Sequence, residues 1–375
     1  MLIKKVFVVI LILSFLSFSA NSISENDISA KSAVVIDGDT NCVLYQKNMS
    51  EHLSMASTTK IMTAILAIES GKLSCVVKAE KDVICEGTSI GIKKGDCFSL
   101  ETLVWAVLLE SGNDAAVLIA EYLAGTESDF AVLMNSKARA IGMESTNFVT
   151  ASGLDADGHY STAYDMALLA SYAIKNPIFR RICSSEQYTA AYISPETTQT
   201  YTNHNKLLKM CEGVFGVKTG FTKKSGRCLV SACTRKGITL ITVTLKAPDD
   251  WNDHIKLYEY CFKISERVDE NIELPKRLKI YGGDCGWSEI TYSEVSVNSI
   301  NNGKASYVVL LPEFAYAPIR EGDCVGKILV LINGKKCREI DIKAANNIAT
   351  SNGENEINYT FYYKLKSFFN NMMKG

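Results

Sequence analysis

No two of the twelve cysteines stand in C-x-x-C spacing, and His52, His159, His204 and His254 form no ligand-spaced cluster. A structural zinc site or another metal centre therefore finds no donor set here, and the reading needs no cofactor. The cysteines are scattered singly, many of them in apolar strand-like runs such as Cys228 to Cys233, which reads as small buried thiols rather than a disulfide framework. Free thiols in an exported protein would point to a reducing or anaerobic habitat. Charge of one sign is also missing: 40 Lys and Arg stand against 41 Asp and Glu, so nothing suggests a nucleic-acid partner. No internal repeat or low-complexity segment occurs.

What is there begins with an export signal. Lys4 and Lys5 precede an apolar run from Val6 to Leu16, followed by small residues at Ser17, Ser19, Ala20 and Ser22. This is the layout of a secretory signal peptide over residues 1–22, with cleavage expected after Ser19 or Ser22. The apolar run is short for a membrane span, although an uncleaved anchor shares the same flanks. The expected location is outside the cytoplasm, at the outer face of the membrane or in the wall.

Ser32 to Asp37 and Cys42 to Tyr45, with a turn between them, predict a β-hairpin. Helical patterns follow at Thr58 to Glu69, Glu101 to Glu110, Asp114 to Leu123, Ser128 to Ile141 and Thr162 to Lys175, the last stopped at Asn176 and Pro177. Strands return at Arg227 to Thr234 and Ile238 to Leu245, and a helix from Trp251 to Glu266 closes the unit. Strands at both ends with helices between them imply an α+β fold, an antiparallel sheet with flanking helices plus a helical cluster. From Val268 the chain turns to short β-rich runs with turn signals at Asn302-Gly303 and Asn333-Gly334, a small all-β domain. The expected domains are 27–267 and 268–345, with a linker and tail over 346–375. In that tail Phe361, Leu365, Phe368, Phe369 and Met372 share one helical face, with Lys364, Lys366 and Lys374 nearby. A membrane-surface anchor and a helix packed on its own protein both fit that pattern.

Three short motifs carry chemistry. Ser57-Thr58-Thr59-Lys60 opens a helix, and a spacing of three puts the Ser57 hydroxyl and the Lys60 amine one turn apart on one face. A serine is a nucleophile only beside a base, and lysine is that base only when burial and neighbours lower its pKa. Alone, this motif equally suits a helix N-cap. Ser111-Gly112-Asn113 falls at a break between helices, where side chains are presented rather than buried. Lys218-Thr219-Gly220, ahead of a strand pattern, sets a cation, a hydroxyl and an open backbone on an edge that suits a carboxylate. S-x-x-K, S-x-N and K-T-G in this order form the signature of penicillin-recognising serine enzymes.

The segments Ser54 to Thr63, Leu109 to Ala116, Gly142 to Phe148, Ser152 to Leu154 and Gly213 to Thr222 resemble those of low-molecular-weight penicillin-binding proteins, the serine D-alanyl-D-alanine carboxypeptidases of peptidase family S11. The resemblance spans about Ala30 to Glu266 and, more loosely, the β domain at Glu321 to Lys327. It implies a transpeptidase/β-lactamase-like catalytic domain, peptidoglycan pentapeptide stems as substrate and β-lactams as covalent ligands. Carried over residue by residue, it makes Ser57 the nucleophile, Lys60 its base and Ser111 a proton relay. Asn113 would orient the peptide, Lys218 and Thr219 would bind the terminal carboxylate, and Gly220 would let substrate backbone approach. The backbone N–H groups of Ser57 and Phe221 would form the oxyanion hole. Phe221 stands where relatives often carry histidine or tyrosine, which bears on substrate preference.

Three rivals remain. A β-lactamase of the commonest serine class needs E-x-x-x-N between the second and third motifs, and no such spacing occurs there. An α/β-hydrolase would use Gly87-Thr88-Ser89-Ile90-Gly91, but that motif needs a long helix after it, and a turn-like Ile92 to Asp96 follows. A non-catalytic wall-binding protein on the same scaffold would be marked by loss of Ser57 or Lys60, and both are present.

Overall fold

The computed structural model describes residues 23–269, 275–293, 296–300, 305–332 and 335–351. The leader, the two Asn-Gly turns and the amphipathic tail lie outside the described residues. The chain divides into two compact units between Ile264 and Ser265.

The first unit opens with the expected hairpin, β1 (Ser32–Asp37) and β2 (Val43–Lys47), then a 3-10 turn over Ala56–Thr59 and the helix α1 (Lys60–Glu69). A small antiparallel pair, β3 (Val76–Lys78) with β4 (Cys97–Ser99), leads into α2 (Leu100–Trp105) and a π turn over Ala106–Glu110. Helices α3 (Asn113–Ala124), α4 (Glu127–Ala140), α5 (Ala163–Ala173) and α6 (Pro177–Ser184) follow. After them come the hairpin β5 (Gln187–Tyr192) and β6 (Thr197–Thr202), the short α7 (Leu207–Met210), the strands β7 (Val214–Thr222), β8 (Gly226–Arg235) and β9 (Ile238–Leu245), and α8 (Asp250–Ile264). The main sheet runs β2-β1-β9-β8-β7 and is antiparallel throughout. The N-terminal hairpin thus sits beside the last strands of the unit.

Both faces of this sheet are covered. Val34, Ile36, Val230, Ala232, Ile241 and Val243 join the core built around α1 and the helical cluster, while Ala33, Val35, Leu229, Cys233 and Leu240 pack with Leu257, Tyr258 and Cys261 of α8. Period-2 alternation sends neighbouring residues to opposite cores. Helix α8 is pinned by polar bonds as well: Ser231 Oγ lies 2.6 Å from both His254 Nδ1 and Tyr258 OH, and Thr244 Oγ1 lies 2.9 Å from His254 Nε2. Burial lowers the pKa of His254 to about 3, so its imidazole stays neutral. Helix α1 is apolar almost all round and buried along nearly its whole length, which places Lys60 at the centre of the unit.

Several boundaries differ from the sequence expectation. Asn176 and Pro177 do end one helix, but they also begin another: Asn176 Oδ1 accepts from Ile178 N at 2.9 Å and Phe179 N at 3.2 Å, with Pro177 in the first turn of α6, where its missing N–H costs nothing. The helix expected to run to Glu266 stops at Ile264, because Ser265 starts strand β10 (Ser265–Asp269). Residues Ala106–Glu110, expected as plain α-helix, close as a π turn.

The second unit is all-β. It holds β10, β11 (Arg277–Tyr281), β12 (Trp287–Thr291), β13 (Ser296–Ile300), β14 (Ala305–Leu310), β15 (Phe314–Tyr316), β16 (Cys324–Ile332) and β17 (Lys335–Ala344). Six of these form a sheet in the order β14-β16-β17-β12-β11-β15, and β10 pairs with β13. Strands β11 and β12 alternate exposed and buried residues, with Leu278, Ile280 and Ile290 inward beside Ile328, Val330, Ile340 and Ile342.

Candidate active site

Ser57 lies in the 3-10 turn that leads into α1, directly after Ala56, whose φ of +49° is unusual for a residue with a Cβ. Such strain, worth about 1–3 kcal/mol, persists only where its surroundings hold it. Here the neighbour is Gly153: a Cβ on it would sit 1.9 Å from the Ala56 carbonyl oxygen, and its own φ is +83°. Only glycine fits between that carbonyl and the turn.

Lys60 Nζ is fully buried and makes three short contacts, to Ser57 Oγ at 2.9 Å, Asn113 Oδ1 at 2.6 Å and the Ser152 carbonyl at 2.5 Å. Burial, and then the positive charge of Lys218, lower its pKa well below the ordinary range. A neutral amine has two N–H donors and one lone pair. With the donors on Asn113 and Ser152, the lone pair is left for the Ser57 hydroxyl.

Asn113 opens α3 and is fixed from two sides, since its backbone N–H donates to Thr88 O at 2.8 Å and its Nδ2 to Glu86 O at 2.5 Å. The segment 86–92 that receives these bonds is gathered by Asp114. Its carboxylate accepts from Ser89 Oγ at 2.6 Å and from the N–H groups of Ile90, Gly91 and Ile92 at 3.0, 2.8 and 3.0 Å. Gly87 to Gly91 therefore forms a clamped loop between β3 and β4, and the strand-to-helix elbow that a hydrolase serine requires is not built there.

Ser111 is buried, with φ +65° at the end of the π turn. Among the described contacts none joins its hydroxyl to Ser57 or Lys60, so the backbone alone places it beside Asn113. Strand β7 is the edge of the main sheet. It carries Lys218, which is buried, then Thr219 and Gly220, which are half-buried, and Phe221, which is 67 % exposed. A Cβ on Gly220 would lie 3.0 Å from the backbone nitrogens of both Ser57 and Thr58, so β7 passes directly over the start of the serine turn. Burial brings the Lys218 pKa down to about 7, and Glu110 opposes the shift. Glu110 also lies 3.8 Å from His204 Nε2, and burial followed by the Lys218 charge keeps that imidazole below its ordinary pKa.

The structure thus joins Ser57, Lys60 and Asn113 by hydrogen bonds and places Gly220 over the Ser57 turn. Sequence reasoning gave no role to the Ser152 carbonyl, to Gly153, to Asp114 or to the Glu110 and His204 pair. Ser152 and Gly153 stood in a quoted segment, but a carbonyl acceptor leaves no mark in side-chain chemistry. Glu110 lies beside the second motif, and its partner on the far side of β6 is invisible to spacing.

A half-buried serine hydrogen-bonded to a fully buried lysine under the edge strand of an antiparallel sheet defines a serine hydrolase of the penicillin-recognising type. Comparison with known proteins narrows this. Residues 19–249 match the family of D-alanyl-D-alanine carboxypeptidases. The chain is 31% identical to D-alanyl-D-alanine carboxypeptidase DacF of Bacillus subtilis, over 84% of this chain and 85% of that one. Its fold is similar to that of penicillin binding protein 5 from Haemophilus influenzae, with a TM-score of 0.68 and 23% identity over 88% of this chain and 100% of that one. The Streptomyces K15 DD-transpeptidase, solved as a serine-to-alanine mutant, matches with a TM-score of 0.57 and 30% identity, covering 62% of this chain and 97% of its own. The chain belongs to the D-alanyl-D-alanine carboxypeptidase family, peptidase family S11, and so to the serine-type carboxypeptidase hydrolases.

Proposed function

We propose that this protein removes the terminal D-alanine from peptidoglycan pentapeptide stems through an acyl-enzyme on Ser57, and that β-lactams acylate the same serine. The observation that carries this reading is the fully buried Lys60 amine, 2.9 Å from Ser57 Oγ and held by Asn113 and the Ser152 carbonyl. In its neutral form it takes the serine proton as Oγ attacks the carbonyl between the two D-alanines. Lys218, with Thr219, binds the terminal carboxylate, and Asn113 orients the peptide. Ser111 passes a proton to the departing D-alanine. The N–H groups of Ser57 and Phe221 stabilise the oxyanion, a role in which one donor is typically worth about 3–4 kcal/mol. The absence of a side chain at Gly220, where a Cβ would lie 3.0 Å from the Ser57 nitrogen, leaves that N–H open and supports the pairing. Water then hydrolyses the ester.

The reading places the enzyme outside the cytoplasm, where its substrate lies, with residues 1–22 as the export signal. The amphipathic C-terminal tail is proposed as a contact to the membrane surface. No helix among the described residues is long and apolar enough to cross a membrane.

Intact-mass analysis with and without benzylpenicillin tests the reading. The expected result is a penicilloyl adduct that persists for minutes, is absent in Ser57→Ala, and accompanies D-alanine release from a pentapeptide that the same variant abolishes. Rapid drug hydrolysis without an adduct would favour a β-lactamase. Neither adduct nor hydrolysis would favour the binding protein.

A further inference from the structure

Cys211 and Cys233 are separated in sequence by α7's exit and the whole β7–β8 hairpin, yet the sheet register sets them side by side. Val214 pairs with Cys233, the Thr234 N–H donates to Gly213 O at 2.9 Å, and a Cβ on Gly213 would lie 3.2 Å from Cys233 Sγ. Cys211 ends α7 three residues before Val214. Cys233 Sγ donates to the carbonyl oxygen of Glu212, the residue directly after Cys211, at 3.4 Å.

A fixed cation covers them. Arg235 donates from Nη2 to Cys211 Sγ at 3.3 Å, from Nε to Glu212 O at 3.0 Å and from Nη1 to Glu259 Oε1 at 2.7 Å, and its guanidinium stacks 5.0 Å from the Phe262 ring centre. With three anchors besides the sulfur, the guanidinium stays over Cys211. The Cys233 hydrogen bond, and then the Arg235 charge, hold the Cys211 pKa below the ordinary thiol range, whereas Cys233 is pushed up by the same hydrogen bond and by burial. The geometry sets the same asymmetry: Cys211 Sγ accepts from the Arg235 guanidinium, which favours its thiolate, while Cys233 Sγ donates to a carbonyl, which favours its protonated form, as thiol–disulfide exchange uses. Cys211 is 6% exposed and Cys233 fully buried, so an outside reagent meets Cys211 first. The other buried cysteines, Cys183, Cys228 and Cys261, have thiols that burial raises rather than lowers.

We infer that Cys211 and Cys233 form a redox modification site that closes to an intramolecular disulfide when the protein meets a low-molecular-weight disulfide. The Cys211 thiolate attacks one sulfur of the reagent, forming a mixed disulfide and expelling a thiolate. Cys233 gives its proton to that thiolate and attacks the Cys211 sulfur, expelling the second reagent thiolate. Two protein sulfurs are oxidised by two electrons, and one reagent disulfide is reduced to one thiol and one thiolate, which takes its proton from water. The crosslink ties the entry of β7, the strand that carries Lys218 to Gly220, to β8.

The test uses the reduced full chain, glutathione disulfide as the probe, acid quenching, alkylation, and mass mapping of every cysteine. The expected product is lighter than the reduced protein by about 2 Da, with Cys211 and Cys233 in one disulfide-linked peptide pair. In Cys233→Ser the glutathione adduct at Cys211 persists, and in Cys211→Ser no link forms, while both variants keep the benzylpenicillin adduct of the native fold. The inference is overturned if exposed Cys285 or Cys324 takes up glutathione while Cys211 and Cys233 both remain alkylatable. A stable glutathione adduct on Cys211 in the unsubstituted protein would overturn it equally.

Discussion

In the proposed mechanism Lys218 carries a positive charge to hold the substrate carboxylate, yet it is buried, and burial brings its pKa down to about 7, which puts that charge at risk near neutrality. Lys60 has the opposite requirement, since it acts as a base only when neutral. Burial, and then the nearby Lys218 cation, lower its pKa well below the ordinary range and favour that neutral form. Activity therefore requires a neutral Lys60 together with a charged Lys218. For a D-alanyl-D-alanine peptide, kcat/KM is expected to rise on the acid side as Lys60 loses its proton and to fall above about pH 7 as Lys218 loses its own. Lys218→Arg keeps the charge and should move the alkaline limb upward. Glu110→Gln removes the carboxylate that favours the Lys218 cation and should move that limb down. A profile flat from neutrality into the alkaline range in the unsubstituted enzyme would sink this account.

The elements around the site show what spacing conveys and what it hides. Ser57 and Lys60 were legible because three residues make one helical turn, and the 3-10 geometry of the first turn leaves the pair on one face. The strands were legible as apolar runs, but with both faces of the sheet buried, Ser32–Asp37 shows no alternation from which to read a register. The hairpin β5–β6 was missed because its threonines, tyrosines and alanines form no apolar run. The loop 86–92 was legible as non-catalytic from the turn-like run that follows it. Its Gly-x-Ser-x-Gly resembles a catalytic elbow, whereas Ser89 spends its hydroxyl on Asp114. That carboxylate gathers one hydroxyl and three loop N–H groups, and a buried donor left unpaired costs about 1–3 kcal/mol. Asp114→Ala should free the loop, and with it the two bonds that hold Asn113 to Glu86 and Thr88. The expected outcome is faster amide hydrogen exchange over 86–92 together with benzylpenicillin acylation slowed by roughly tenfold, about 1.4 kcal/mol. Asp114→Asn, which keeps one acceptor, should fall between. Unchanged exchange with unchanged acylation would show that the clamp does not support the site.

At the scale of the whole chain, the residues proposed to do the chemistry, from Ser57 to Phe221, all lie in the first unit, and the boundary at Ile264 falls after α8 has closed the second face of the main sheet. The family match ends at residue 249, and the Streptomyces K15 protein covers 62% of this chain while 97% of its own length is matched. The family match thus lies entirely within the first unit. The first unit moreover has two apolar cores of its own, and the second unit has a separate one in its six-stranded sheet. A protein ending at Ile264 is therefore expected to fold by itself and to be acylated by benzylpenicillin within about twofold of the full-length rate, a difference below about 0.5 kcal/mol. If so, what the β unit contributes is to be sought in where the enzyme acts rather than in how Ser57 is activated. A shortened protein that melts cooperatively but acylates tenfold or more slowly would show instead that the β unit tunes the site. That outcome would separate a catalytic contribution from a failure to fold.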